Sequence, residues 1–197
     1  MFKKNQPRLF FYHTDNKYPH MILDPGQSAP APAFLRTTDR REGVWADGSC
    51  LFHAIVAGRA GGRVQPQEAG LALRASIARR ATPARYIQAW RAYGHEGPPV
   101  LPFEDFVGKL RAGFSDMYTI PYIMWDQKLN LLFVEDGGFY CGVDYFHPAR
   151  KNLLVYWAAG QHFEPIGGTR APSRSLRSLY DRCSMGFFQL LMGRLAR

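Results

Sequence analysis

Cysteine is scarce in this chain: Cys50, Cys141 and Cys183 are the only three in 197 residues. An odd count with no Cys-x-x-Cys pair and no Cys/His ligand spacing argues against a disulfide framework and a structural zinc site, and favours a reducing compartment. Long apolar runs are also lacking. No stretch approaches the roughly 20 residues that cross a bilayer. The opening MFKKNQPRLFFYHTDNKYPHMIL has neither the uninterrupted apolar core nor the small-residue cleavage site of a secretory signal. The chain therefore reads as soluble and intracellular, in the cytoplasm. Acidic residues are few, 16 against 25 Lys plus Arg, for a formal net charge of +9. Arg170, Arg174, Arg177, Arg182, Arg194 and Arg197 face only Asp181 after Gly168, so that last stretch holds +5 of the excess. Such charge favours polyanions or acidic membranes in general. No helix-turn-helix, zinc-finger or RNP-like pattern accompanies it, so no specific nucleic-acid partner is expected.

What is present suits one globular domain, with 46% hydrophobic residues. DPGQSAPAPAF (24–34) reads as an extended connector, which divides the chain into an N-terminal segment (1–34), a main body (35–168) and a basic C-terminal segment (169–197). Three-and-four spacing predicts a helix from Cys50. It predicts another over 66–81 with Ala69, Leu73, Ile77 and Arg80 on one face, and two more at Ala84–Tyr93 and Phe103–Ala112. A fifth is expected over Ser115–Lys128, capped by Ser115, with Tyr118, Tyr122, Trp125 and Leu129 on a core-facing stripe. NLLFVED (130–136), NLLVYWAA (152–159) and QHFEPIG (161–167) read as strands. Helices early and strands late favour a segregated α+β fold over alternating βαβ units.

The stretch GVWADGSCLFHAI (43–55) carries the chemistry. A cysteine at a helix N-terminus meets unsatisfied N–H groups and the positive end of the macrodipole, and such thiols can fall to a pKa of about 3.5–7.5. Gly48 frees the backbone before it, so amides from Asp47 through Cys50 could converge on one point, as an oxyanion requires. A thiolate nucleophile also needs a base, and His13, His20, His53, His95, His147 and His162 are the candidates. Strict alternation in QHFEPIG puts His162 and Glu164 on one face, where a carboxylate can orient the imidazole. That is the nucleophile, base and orienter logic of a catalytic triad.

DGSCLFHAI resembles the Asp-Gly-x-Cys-Leu-aromatic-x-Ala-Ile block of the ovarian-tumour (OTU) cysteine proteases, and GQHFEPI resembles that family's closing His-aromatic-acid block. The resemblance spans Gly43 to Gly167. It implies a papain-type α+β fold, a small central sheet flanked by helices. By the resemblance Cys50 is the nucleophile, His162 the general base and Glu164 the acid two residues on, while Asp47 shapes an oxyanion loop built with Gly48 and Cys50. Where the family often has Asp or Asn, this chain has the longer Glu164, so the third member is either Glu164 or Asp47. The implied activity is that of a deubiquitinase, hydrolysing the isopeptide bond after a terminal Gly-Gly of ubiquitin or a ubiquitin-like modifier. Implied partners are ubiquitin and polyubiquitin chains. No cofactor or metal is called for, and a monomer is expected. The compact Ala/Arg/Gly/Pro-rich chain suits a member from a large DNA virus or a bacterial effector.

Cys141 and Cys183 have no partner pattern and read as packing residues. Residues 175–197 place Leu176, Leu179, Tyr180, Phe187, Leu190, Leu191 and Leu195 on one helical face flanked by arginines. This is a docked terminal helix, an interfacial membrane helix or a protein-partner site. Two other functional classes stand beside the protease: a non-catalytic ubiquitin-binding module on the same scaffold, and a basic nucleic-acid-binding protein suggested by charge alone.

Overall fold

A computed structural model describes residues 22–33, 35, 37–93, 97–116, 118–135, 138–141, 147, 149–158 and 162–170. The elements run β1 (Ser28–Pro30), β2 (Arg40–Glu42), α1 (Cys50–Arg59), α2 (Gln67–Arg80), α3 (Pro83–Ala92), α4 (Phe103–Ala112), α5 (Ile120–Gln127), β3 (Leu129–Glu135), β4 (Gly138–Cys141), β5 (Lys151–Ala158) and β6 (His162–Arg170). The fold is α+β, as the element order in the sequence implies. One six-stranded sheet runs β1-β2-β6-β5-β3-β4. β3 and β5 are parallel, and the other neighbours antiparallel.

Alternation in the central strands divides the interior in two. Leu131, Phe133, Leu153, Val155, Trp157 and Phe163 join the buried faces of the five helices. Leu132, Val134, Leu154, Tyr156, Ala158 and Ile166 form a second cluster on the opposite face, with Ala31 and, partly buried, Ile22 and Leu35 packed on it. Strands covered on both sides read as continuous apolar runs, which is the texture of NLLFVED and NLLVYWAA.

Three differences from the sequence reading have local causes. The Pro/Ala-rich stretch is no free connector: Ser28–Pro30 pairs with Arg40–Glu42, so the sheet takes in residues before Leu35. α5 starts at Ile120, not Ser115, because Pro121 lacks an N–H and its ring clashes with the carbonyl four residues back, confining it to a first turn. Asp116 instead accepts from the N–H groups of Tyr118 and Thr119 in the preceding turn. The buried face of α2 is Gly70, Arg74, Ile77 and Ala78, with Arg80 exposed. Of the expected core stripe α5 carries Tyr122, buried and edge-on to Phe106 at 5.1 Å, and the half-buried Trp125, while Tyr118 precedes the helix and Leu129 begins β3. Cys141 ends β4. The basic segment 175–197 and Cys183 lie outside the described residues.

Candidate active site

Cys50 is the first residue of α1, as its spacing predicts. Gly48 sits at φ +78°, in the left-handed region that a glycine enters without strain. The helix end is capped in an unusual way. Ser49 occupies the N-cap position but makes no side-chain cap bond; its hydroxyl accepts instead from Arg74 Nη1 at 2.9 Å. The N–H groups of Phe52 and His53 go to the Ser49 carbonyl. Those of Cys50 and Leu51 lie close enough to the Cys50 sulfur to favour its charged form, as does the N–H of Phe163.

That last contact puts the sulfur against the peptide joining His162 to Phe163, more than a hundred residues along the chain. His162 heads β6 and is 2% exposed. Its ring is hydrogen-bonded to the carbonyl of Val44, while Nε2 is buried with no partner among the described residues. Nδ1 is therefore the donor, and Nε2 carries the free lone pair that a general base uses. No hydrogen bond joins the sulfur directly to the ring in this resting arrangement.

The electrostatics differ from those a helix-start cysteine suggests. Burial pushes the Cys50 thiol above its ordinary value, the three N–H donors offset part of this, and the Asp47 charge adds to it. Burial, with a smaller contribution from the neighbouring His53 ring, lowers His162 to about 4. Burial thus opposes the charged form of both partners, thiolate and imidazolium alike. Desolvation penalises both charged forms more than the helix end stabilises the sulfur.

Glu164 does not orient the imidazole. Its Oε1 accepts the Leu23 N–H at 2.7 Å and its Oε2 lies 3.2 Å from Arg41 Nη1, a fully buried pair with the Arg41 guanidinium 4.5 Å above the Tyr156 ring. Side chains two positions apart in a strand share a face but stand about 6.5–7 Å apart, so cation and amide on the neighbouring elements capture the carboxylate first. Burial outweighs both partners and raises Glu164 to about 7.

Asp47 does shape the loop. Its Oδ1 accepts the Ser49 N–H at 2.9 Å, its Oδ2 accepts from Gln67 at 2.8 Å, and both oxygens lie 3.1 Å from His53 Nε2. Burial would raise its pKa, yet the hydrogen bonds from Gln67, Ser49 and His53 hold it below the ordinary carboxylate value. Asp47 consumes the Ser49 amide, which leaves the expected oxyanion donors as the N–H groups of Asp47, Gly48 and Cys50. Trp45 donates to the Gln65 carbonyl at 3.2 Å and pins the same loop further back.

Arg74, Arg41 and the His53 pairing carry no motif in the sequence. One signal for Arg74 was there: an arginine four residues after Gly70 and three before Ile77 lies on an apolar stripe. No group of three or more metal-ligating side chains occurs among the described residues. A cleft of about 680 Å³ between α2 and α4 opens beside the loop, lined by Asp47, Ser49, Leu71, Arg74, Arg79 and Arg111 among others.

No family model matches this chain, and no curated protein does. Among solved structures the chain is similar to an OTU domain, that of OTUD1, at 15% identity and a TM-score of 0.46, covering 65% of this chain and 85% of that one.

Proposed function

We propose that the chain is a thiol isopeptidase of the OTU type, acting on ubiquitin or ubiquitin-like conjugates. The observation that carries this reading is the Cys50 sulfur at a helix N-terminus, lying against the backbone of His162, whose Nε2 is buried and unpartnered. An orphaned buried nitrogen costs about 1–3 kcal/mol, and a base awaiting a proton is a reason to keep one. The matching sequence blocks around both residues supply the substrate class.

In this mechanism the thiol proton passes to His162 Nε2 as substrate closes the site, and the sulfur attacks the carbonyl carbon of the terminal glycine. The oxyanion is held by the N–H groups of Asp47, Gly48 and Cys50. The C–N bond then breaks, the leaving lysine amine takes the proton from Nε2, and water hydrolyses the thioester to restore the thiol. Glu164 serves as an anchor for the strand that carries His162, and Asp47 holds the oxyanion loop. The reducing cytoplasm, host cytosol for a viral or effector protein, keeps the thiol usable.

The second reading, a ubiquitin-binding module with weak catalysis, is favoured by the raised thiol and the missing sulfur–imidazole bond. One experiment separates the two: a ubiquitin probe with a C-terminal electrophile. Labelling of the native chain, abolished in Cys50→Ala and reduced at least 100-fold in His162→Ala, supports the protease. Cleavage of diubiquitin by Cys50→Ala removes it.

A further inference from the structure

Arg74 is 7% exposed in the middle of α2, on the side turned toward α1 and α4. A buried cation needs acceptors, and its guanidinium reaches five. Nη1 donates to the Gly48 carbonyl at 3.0 Å and to Ser49 Oγ at 2.9 Å. Nε donates to the Leu110 carbonyl at 2.8 Å, and Nη2 to the carbonyls of Lys109, at 3.3 Å, and Gly113. The last three lie at the C-terminal end of α4, where the Lys109 carbonyl also accepts the Gly113 N–H at 2.9 Å. The guanidinium carbon also stands 5.4 Å from the centre of the Phe52 ring on α1. One side chain thus ties the loop before Cys50 to a helix end some sixty residues later.

We propose that Arg74 is a positioning residue for the thiol chemistry, fixing the loop that precedes Cys50 and keeping the Ser49 hydroxyl away from the α1 N–H groups that serve the sulfur. The inference rests on the assignment of Cys50 as nucleophile. Two consequences come from the geometry. Holding the Gly48 carbonyl fixes the Gly48–Ser49 peptide plane, with Asp47 holding the Ser49 N–H on its other edge, and so orients the oxyanion donors on either side. Serine is among the strongest N-caps. Freed from Arg74, its Oγ would compete with the sulfur for the N–H groups of α1. The buried positive charge also lies within electrostatic reach of Cys50 and Asp47, which favours the thiolate as it forms.

The test uses Arg74→Gln, which removes the charge, and Arg74→Lys, which keeps the charge but not the fork. Two readouts are taken on the full chain: the pH midpoint of Cys50 alkylation by iodoacetamide, and the rate of labelling by the ubiquitin electrophile. R74Q is expected to move the alkylation midpoint up by about one pH unit and to slow probe labelling more than tenfold. R74K is expected to keep the midpoint near that of the native chain while still labelling more than tenfold more slowly, a split that loss of packing would not produce. An unchanged midpoint in R74Q overturns the proposal, as does R74K labelling within twofold of the native rate. R74K decides the matter if R74Q does not fold. Failure of the native chain to react with the ubiquitin probe would instead remove the functional reading, and the alkylation profiles would then decide the role of Arg74 without it.

Discussion

His162 and Glu164 stand two residues apart on β6 and couple folding to pH in opposite senses. The imidazole is lowered to about 4 in the fold, so its contribution to stability is present above its ordinary 6.5 and is lost as pH falls toward 4. The carboxylate is raised to about 7, so its contribution is fully present below its ordinary 4.5 and is lost as pH rises through 7. Each amounts to about 3 kcal/mol, and between pH 4.5 and 6.5 the two slopes cancel. Single variants should unmask them. Glu164→Gln is expected to gain stability with rising pH up to about 6.5, and His162→Gln to lose stability with rising pH up to about 7. Melting curves across this range give the answer, and identical profiles for both variants and the native chain would refute the assignment. For the proposed isopeptidase, the same lowered imidazole predicts that kcat/KM for diubiquitin keeps its acid limb well below 6.5, since that limb reports the free enzyme's base. A limb at 6.5 or above would refute the lowered imidazole.

Among elements, the contact between α1 and α2 decides whether Asp47 can hold the loop. His53 points from α1 across to α2, where a Cβ on Gly70 would lie 2.0 Å from its Nδ1. Gly70→Ala would improve helix propensity by about 1 kcal/mol, but the ring would have to swing away and release Asp47. Overpacking should win, with a net loss of about 1–3 kcal/mol in denaturant unfolding. A variant as stable as the native chain would show that the ring has room to move. Helices α1 to α4 were legible within a residue or two, because apolar spacing and boundary prolines such as Pro66 and Pro83 are local signals. β1, β2 and β4 were not. Strands of three or four residues carry no usable periodicity, and their existence depends on partners far along the chain.

At the scale of the molecule, the sheet needs cover on the side away from the helices. Residues before Leu35 supply part of it, through Ala31, the β1 strand and the Leu23 N–H bonded to Glu164. A chain beginning at Leu35, where composition suggests the body starts, is expected to melt at a markedly lower temperature and to bind a hydrophobic dye, because the second apolar cluster becomes exposed. It should also lose activity, since the strand carrying His162 loses its anchor. Equal melting temperatures would show the N-terminal cover to be dispensable.

The sequence by itself determined the helix that begins at Cys50, the strand that carries His162, the loop glycine between Asp47 and Ser49, and the α+β order. Each is written in neighbouring residues, through periodicity, turn chemistry and two short blocks. Only the tertiary structure decided that Glu164 binds Arg41 and Leu23 instead of the imidazole, that burial opposes charge on thiol and imidazole alike, and that the Ser49 hydroxyl binds Arg74 instead of capping α1. Protonation and buried pairing depend on desolvation and on partners up to 141 positions away, and no local pattern encodes those.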